Sequence, residues 1–363
     1  MAGTALVAAT MLAGGALAAD KKMMKPSISV NGYYDALVGG ILNEEQKQGG
    51  KDMAPDTTGL DVRTDAEIYF NGRATTDNGL KIHAHIQLEG SQTHSESDPI
   101  DEYFLSVSGS FGKIILGGTG GAPVKMLTGL SGSWATGVGE TLSFDVNDWI
   151  PNAGVAGGGH YIMQHSRLDT GDADKVTYIS PKLGGFQIGL TYSPNRMNAD
   201  TNSRFNTEDG PNNGLEGAVN YTGKFGDVGF GIGAGMTAYQ GAEGKKDDDR
   251  SDWLVAGRID FGGGFRVAAA HKQVTDENKA GQGQLTDVGV RFVQGANSFS
   301  LTGVMGEKDN SQASYTAVMG SYARAMGPGV KVHLNVIGTE SESDDGNNEN
   351  SGVVSVAGIK VVF

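Results

Sequence analysis

His83-Ala84-His85 sets two imidazoles two residues apart, on one side of any extended segment, and such pairs ligate metals or relay protons. A metal would need a third ligand, and the spacing supplies none. The absence of cysteine removes thiolate sites, disulfides and thiol nucleophiles together. Asp247, Asp248 and Asp249 offer hard oxygen ligands suited to calcium, although the same run also reads as a solvated loop tip. Gly229, Gly231, Gly233 and Gly235 imitate a phosphate-loop spacing. They alternate with Val228, Phe230, Ile232 and Ala234, and neither Lys-Ser/Thr nor a helix follows. They are small residues on one strand face. Seven histidines and many serines leave a Ser–His pair open, but no motif supports an enzyme. A net charge of −14 disfavours nucleic acid, which needs a basic footprint.

The element that carries the imidazoles is legible. From Leu80 to Glu89 apolar and polar side chains alternate, so Leu80, Ile82, Ala84, Ile86 and Leu88 face one way. Lys81, His83, His85 and Gln87 face the other. The pattern recurs in sixteen tracts. Five precede a long connection, near 27–40, 59–74, 79–90, 101–109 and 112–118, and eleven follow it, from 173–181 to 351–363. Short turns such as Thr76-Asp77-Asn78, Gly109-Ser110-Phe111, Gly262-Gly263 and Gln294-Gly295-Ala296 alternate with longer loops rich in Asp, Asn, Glu and Gly. An even strand count with short turns at one end and long loops at the other predicts an all-β transmembrane antiparallel barrel.

Charge placement supports lipid on the outside. The sets Val62-Thr64-Ala66-Ile68-Phe70, Phe186-Ile188-Leu190-Tyr192 and Val330-Val332-Leu334-Val336 carry no charge, whereas Asp61, Arg63, Asp65, Glu67, Lys331, His333 and Lys360 sit between such positions. A soluble core filled by the second group would bury charges at several kcal/mol each, so that face is expected to be wet. Tyr221 and Phe225, Phe261 and Phe265, and Phe292 and Phe299 flank three short turns, as an interfacial aromatic girdle requires. No stretch of the mature chain approaches the roughly 18–20 apolar residues of a membrane helix. Residues 1–19 read as a secretory leader ending in Ala16-Leu17-Ala18, with the barrel at 20–363.

The connection at about 118–172 is too long for an idle loop. It holds Trp134, Trp149 and Tyr161 with the acids Glu140, Asp145 and Asp148, and is expected to fold into the barrel and narrow it. The excess of acids suggests a mild cation preference, weakened by screening over a Debye length of ~8–10 Å.

The run Phe111-Gly112-Lys113-Ile114-Ile115-Leu116-Gly117 before that loop, the run from Tyr178-Ile179-Ser180-Pro181 to Thr191-Tyr192-Ser193-Pro194 after it, and the terminal Phe363 resemble the Gram-negative general porins. The resemblance implies a sixteen-stranded outer-membrane barrel, usually a homotrimer set among lipid and lipopolysaccharide. Its third external loop would form a constriction that passes ions and small hydrophilic solutes by passive diffusion. It further implies acids Glu140, Asp145 and Asp148 at the constriction and a facing basic wall of Arg63, Lys81, His83 and His85, with Arg73 and Lys113 lower. Phe363 would be the signal read by the barrel-assembly machinery. No cofactor is implied beyond a possible structural calcium at the loop acids. Histidines where such porins often carry arginines predict a field that strengthens as pH falls between roughly 8 and 5. A substrate-selective channel of sugar or organic-acid type is the alternative within the same fold, and a barrel enzyme the more remote one.

Overall fold

The structure is a computed structural model and describes residues 25–53, 59–90, 100–139, 149, 168, 171–195, 212–240, 249–276, 282–309, 311–343 and 346–363. The expected leader at 1–19 lies outside the described residues. The strands are β1 (Ser27–Gln48), β2 (Lys51–Met53), β3 (Leu60–Thr75), β4 (Lys81–Glu89), β5 (Ile100–Gly109), β6 (Gly112–Gly118), β7 (Asp174–Ile179), β8 (Phe186–Asn195) and β9 (Asn212–Phe225). They continue as β10 (Val228–Gln240), β11 (Arg250–Asp260), β12 (Phe265–Asp276), β13 (Gly283–Gln294), β14 (Asn297–Lys308), β15 (Ser314–Gly327), β16 (Val330–Glu342) and β17 (Glu349–Val362). All sixteen expected tracts are present. The additional strand, β2, is a three-residue return that pairs with the end of β1, which runs eight residues further than its alternation foretold.

Each strand pairs antiparallel with its neighbour in the chain, and β1 pairs with both β3 and β17, so the sheet closes on itself. The seam is completed by Gly32 and Phe363, which exchange backbone hydrogen bonds of 2.9 and 3.0 Å. Closure satisfies every strand edge within the ladder, which a spanning sheet must do because lipid offers no hydrogen bonds. The turns at the short end use glycine where the backbone demands it. Gly226 and Gly295 have φ of 58° and 60° and open space around them, so conformation alone selects glycine there.

Side chains obey the alternation. Val62, Leu190 and Leu301 are exposed on the outer face, whereas Thr177, Asp287 and Asn335 are fully buried on the inner one. Outside, the aromatic girdle is real. Phe186 meets Tyr221, Tyr221 meets Phe230, Phe261 meets Phe265, and Phe299 meets Tyr322, with centroids 4.5–5.8 Å apart. Phe265, Phe292 and Phe299 are successive register partners, so the band runs unbroken from β12 to β15.

The inner face departs from the expectation in one sector. Leu285, Val304, Tyr315, Met319, Ile337, Val354 and Val356 point inward on β13 to β17 and are buried with Leu37 and Trp149. Here both faces of the strands are apolar, because this part of the wall is covered by protein and not by water. No helix among the described residues is long and apolar enough to cross a membrane, so the strands do the crossing.

Candidate functional site

The long connection after β6 enters the barrel. Its described part comprises α1 (Ala122–Leu127), a 3-10 turn (Thr128–Leu130) and α2 (Gly132–Thr136). Such short helices cannot stand alone, because most of their amides and carbonyls lack intrahelical partners. The wall supplies those partners. The Ala122 amide donates to Thr191 Oγ1 at 2.9 Å, and Asn220 Nδ2 donates to the Met126 carbonyl at 3.0 Å. The Asp287 carboxylate accepts from the Ser133 amide at 2.7 Å and from its hydroxyl at 2.9 Å, capping α2 from another strand. Cations meet the carbonyls at the other ends: Arg258 reaches Gly129 at 2.6 Å, Arg266 reaches Ala135 at 3.0 Å, and Lys331 reaches Val138 at 3.1 Å.

Shape matches this polarity. A Cβ on Gly231 would sit 2.6 Å from Leu130 Cδ2, and one on Gly233 would sit 2.5 Å from Leu127 Cδ2. Gly189 likewise seats Met126 and Ala122, Gly289 seats Thr136, and Gly39 lies against the Trp149 ring. The strand glycines are therefore a track in which the loop lies, from β8 round to β1. Their inward alternation was visible in the sequence, but nothing local says what they make room for.

The expected basic residues all line the inner wall, at two heights. Arg63 is near the long-loop end, paired with Asp61 at 3.0 Å, its guanidinium 4.9 Å from the Trp149 ring centroid. Ten residues further along β3 lies Arg73, whose register partner is His83; Lys81 is lower still, opposite Thr75. His83 Nε2 and His85 Nδ1 both bond Asn71 Oδ1, at 2.8 and 2.9 Å. An amide oxygen only accepts, so each imidazole donates there in either charge state. Phe104 stacks on His85 with centroids 4.9 Å apart and meets His83 in a T-shaped contact at 5.7 Å. Lys113 is on β6, joined to the Lys81 side of the wall through Ser108, the register partner of both lysines. Glu140, Asp145, Asp148, Asp247 and Asp248 lie outside the described residues. Asp249 is described and immediately precedes β11, next to Arg250.

Several wall residues were not singled out by sequence reasoning. Lys125 of α1 donates to Thr119 Oγ1 at 2.8 Å and lies 5.4 Å from the Phe104 ring centroid, so the loop brings a cation to the histidine wall. Burial lowers its ammonium below the ordinary lysine value, and Glu102 opposes that shift. Arg258 and Arg266 share one carboxylate, Asp260, and Arg291 lies beside them as register partner of Arg266. Their signal was only that each is a charge on an inward position. Near the long-loop end, carboxylate oxygens of Glu67, Glu89 and Asp101 come within 4.8 Å of one another. That spacing is within reach of one hard cation.

A closed antiparallel barrel with an apolar belt, an aromatic girdle and a charged inner wall narrowed by its own loop is a transmembrane channel. The Gram-negative porin family matches residues 2–345, and the chain belongs to that family: it is an outer-membrane porin and not an enzyme. No curated protein sequence matches it. Among solved structures it is similar to the anion-selective porin from Comamonas acidovorans, with 16% identity, a TM-score of 0.64, and coverage of 93% of this chain and 100% of that one. It is similar as well to OmpT of Vibrio cholerae in its trimer form (12%, 0.57, 94% and 100%) and to a variant of the Rh. blastica porin (14%, 0.56, 93% and 100%). At these identities the likeness speaks for the fold.

Proposed function

We propose that the protein is a homotrimeric diffusion pore that passes ions and small hydrophilic solutes, sieving by size at the inward loop and favouring anions. The observation that carries the reading is the placement of charge beside the loop. Lys113 and Lys125 line one side of the lumen, and Arg258, Arg266, Arg291 and Lys331 line the other, with Asp260 shared between two of the arginines. These cations stand beside the loop helices, where they outnumber the neighbouring inner-wall carboxylates Glu102, Glu216, Asp260 and Asp287, the last of which is taken up by the Ser133 amide and hydroxyl. The direction therefore reverses the mild cation preference suggested by net charge. It agrees with the name of the Comamonas acidovorans porin. Glu140, Asp145 and Asp148 are proposed as the acids that oppose this wall. His83 and His85 are proposed as part of the same wall, and a reversal potential unchanged by His83→Gln with His85→Gln removes the histidines from the reading.

The homotrimer is supported by the outer surface. The aromatic band covers β8 to β15, whereas in the sector from β16 through β1 to β4 exposed aliphatics such as Val30, Val38, Val62, Ile86, Leu334 and Val336 outnumber the exposed aromatics Tyr34, Phe70 and Phe363. That sector suits contact with other copies better than contact with the lipid interface. Lipid and lipopolysaccharide are the proposed partners of the rest, the assembly machinery that of Phe363, and calcium a bridge at Asp247, Asp248 and Asp249. Conductance of the purified protein in a planar bilayer tests the whole. Steps closing in thirds, and a reversal potential of anionic sign in a KCl gradient, are expected. A single-step closure refutes the trimer, and a cationic sign refutes the charge assignment.

A further inference from the structure

Between α1 and the inner wall of β5 to β8 lies a cavity of about 380 Å³. Two of its lining side chains are cations, Lys113 and Lys125, and no carboxylate lines it. Neither lysine forms an ion pair among the described residues; Lys125 bonds the neutral Thr119 hydroxyl, with Glu102 and Asp172 acting on it from outside the cavity lining. The remaining lining divides by chemistry. Ser108 and Gln187 are polar, while Ile115, Ile179 and Met126 form an apolar floor. Ile115 and Met126 are both buried, so the floor is a packed surface and holds its shape. The volume falls at the lower end of the roughly 300–1,000 Å³ usual for small-molecule sites. A simple water-filled passage has no use for an apolar floor beneath two ammonium groups. An amphipathic anion does, because its charge can sit between the lysines while its carbon skeleton leaves water.

We propose that this cavity is a transit site for small organic carboxylates with an apolar body, the carboxylate held by Lys113 and Lys125 and the body lying on Ile115, Ile179 and Met126. The inference rests on the diffusion-pore reading and assigns it a preferred solute class. Phe104, His83 and His85 line the approach beside Lys125 and extend the same combination of cation and flat apolar surface. A solute held weakly at such a site leaves as readily as it arrives, which throughput requires.

The test uses the full chain in planar bilayers carrying KCl current, with sodium benzoate as probe, acetate as the charge without the ring, and benzyl alcohol as the ring without the charge. Benzoate is expected to produce resolved, brief interruptions at concentrations about tenfold below those at which acetate does, with benzyl alcohol silent. Lys125→Gln and Lys113→Gln should each raise the benzoate concentration needed by about tenfold, as loss of one charge-assisted contact predicts. Lys113→Arg should restore it, and Ile179→Ser should weaken benzoate while leaving acetate unchanged. Heat-modifiable migration on gels shows that each variant is a folded barrel. A channel that conducts but ignores benzoate, or treats acetate alike, overturns the inference and leaves the pore standing. A folded barrel that never conducts overturns the pore reading itself.

Discussion

Gly233 on β10 is the sharpest place to ask whether the loop rests on the wall. An alanine Cβ there would lie 2.5 Å from Leu127 Cδ2, 3.0 Å from the Val219 carbonyl and 3.1 Å from Asn220 Cβ. An ordinary carbon contact is about 3.5–4.0 Å, so Leu127 must retreat by about 1 Å. It has little room to do so, since Leu127 is only 1% exposed and packs with Leu168, Leu254 and Ala256. Overpacking of this kind costs about 1–3 kcal/mol, comparable to the 1.5–3 kcal/mol from burying a leucine. Gly233→Ala should therefore push α1 toward the pore axis, and Gly233→Val should unseat it. Single-channel recordings should show lower conductance for the first and a noisy, flickering open state for the second. Gly320→Ala is the control, because a Cβ there meets nothing within 4 Å. If Gly233→Val conducts as quietly as Gly320→Ala, the loop does not rest on the glycine track.

Other perturbations address the remaining contacts. Asp287→Ala leaves the Ser133 amide and hydroxyl without their acceptor, a cost of about 1–3 kcal/mol, and should speed hydrogen exchange at residues 131–137 while the barrel strands stay protected. Arg291→Gln with Arg258→Gln should move the reversal potential in a KCl gradient toward the cation side; no movement would remove that wall from selectivity. Burial holds the Lys125 ammonium below the ordinary lysine value against the opposing pull of Glu102 and Asp172, so raising pH strips its charge early and benzoate interruptions should fade with it. In Lys125→Gln that early fading should be absent.

The outer strand faces were legible because lipid is unforgiving: one charge on Val62 or Leu190 would show, so the lipid-facing parity can be read directly from the sequence. The turn-flanking aromatics were legible for the same reason. The buried inner sector was not, because Leu285, Ile337 and Val356 owe their apolar character to a loop far away in sequence. The glycine alternation from Gly229 to Gly235 shows in the sequence as small residues on one strand face, but what occupies Gly231, Gly233 and Gly235, Leu130 and Leu127, is a tertiary fact. The inward positions of Arg63, Arg73, Lys81, His83, His85 and Lys113 follow from parity on β3, β4 and β6, but parity does not set height, and Lys81 lies below Arg73 where the resemblance implies the reverse. Arg258, Arg266 and Lys331 sit at equally inward positions, and only the fold shows that they end the loop's short helices.

The seam where Tyr33 pairs with Val362, and Lys47 with Glu349 across 302 residues of sequence, carries a consequence for how the molecule comes into being. Fifteen neighbouring pairings can zip locally, but the two flanking edges stay open until β1 and β17 meet, and an open edge is intolerable in hydrocarbon. Insertion and completion of the ring are thus one event, with the slowness expected of the longest-range contact in the chain. Shortening such a protein strand by strand should yield no series of narrower pores, only chains that never leave the aqueous side.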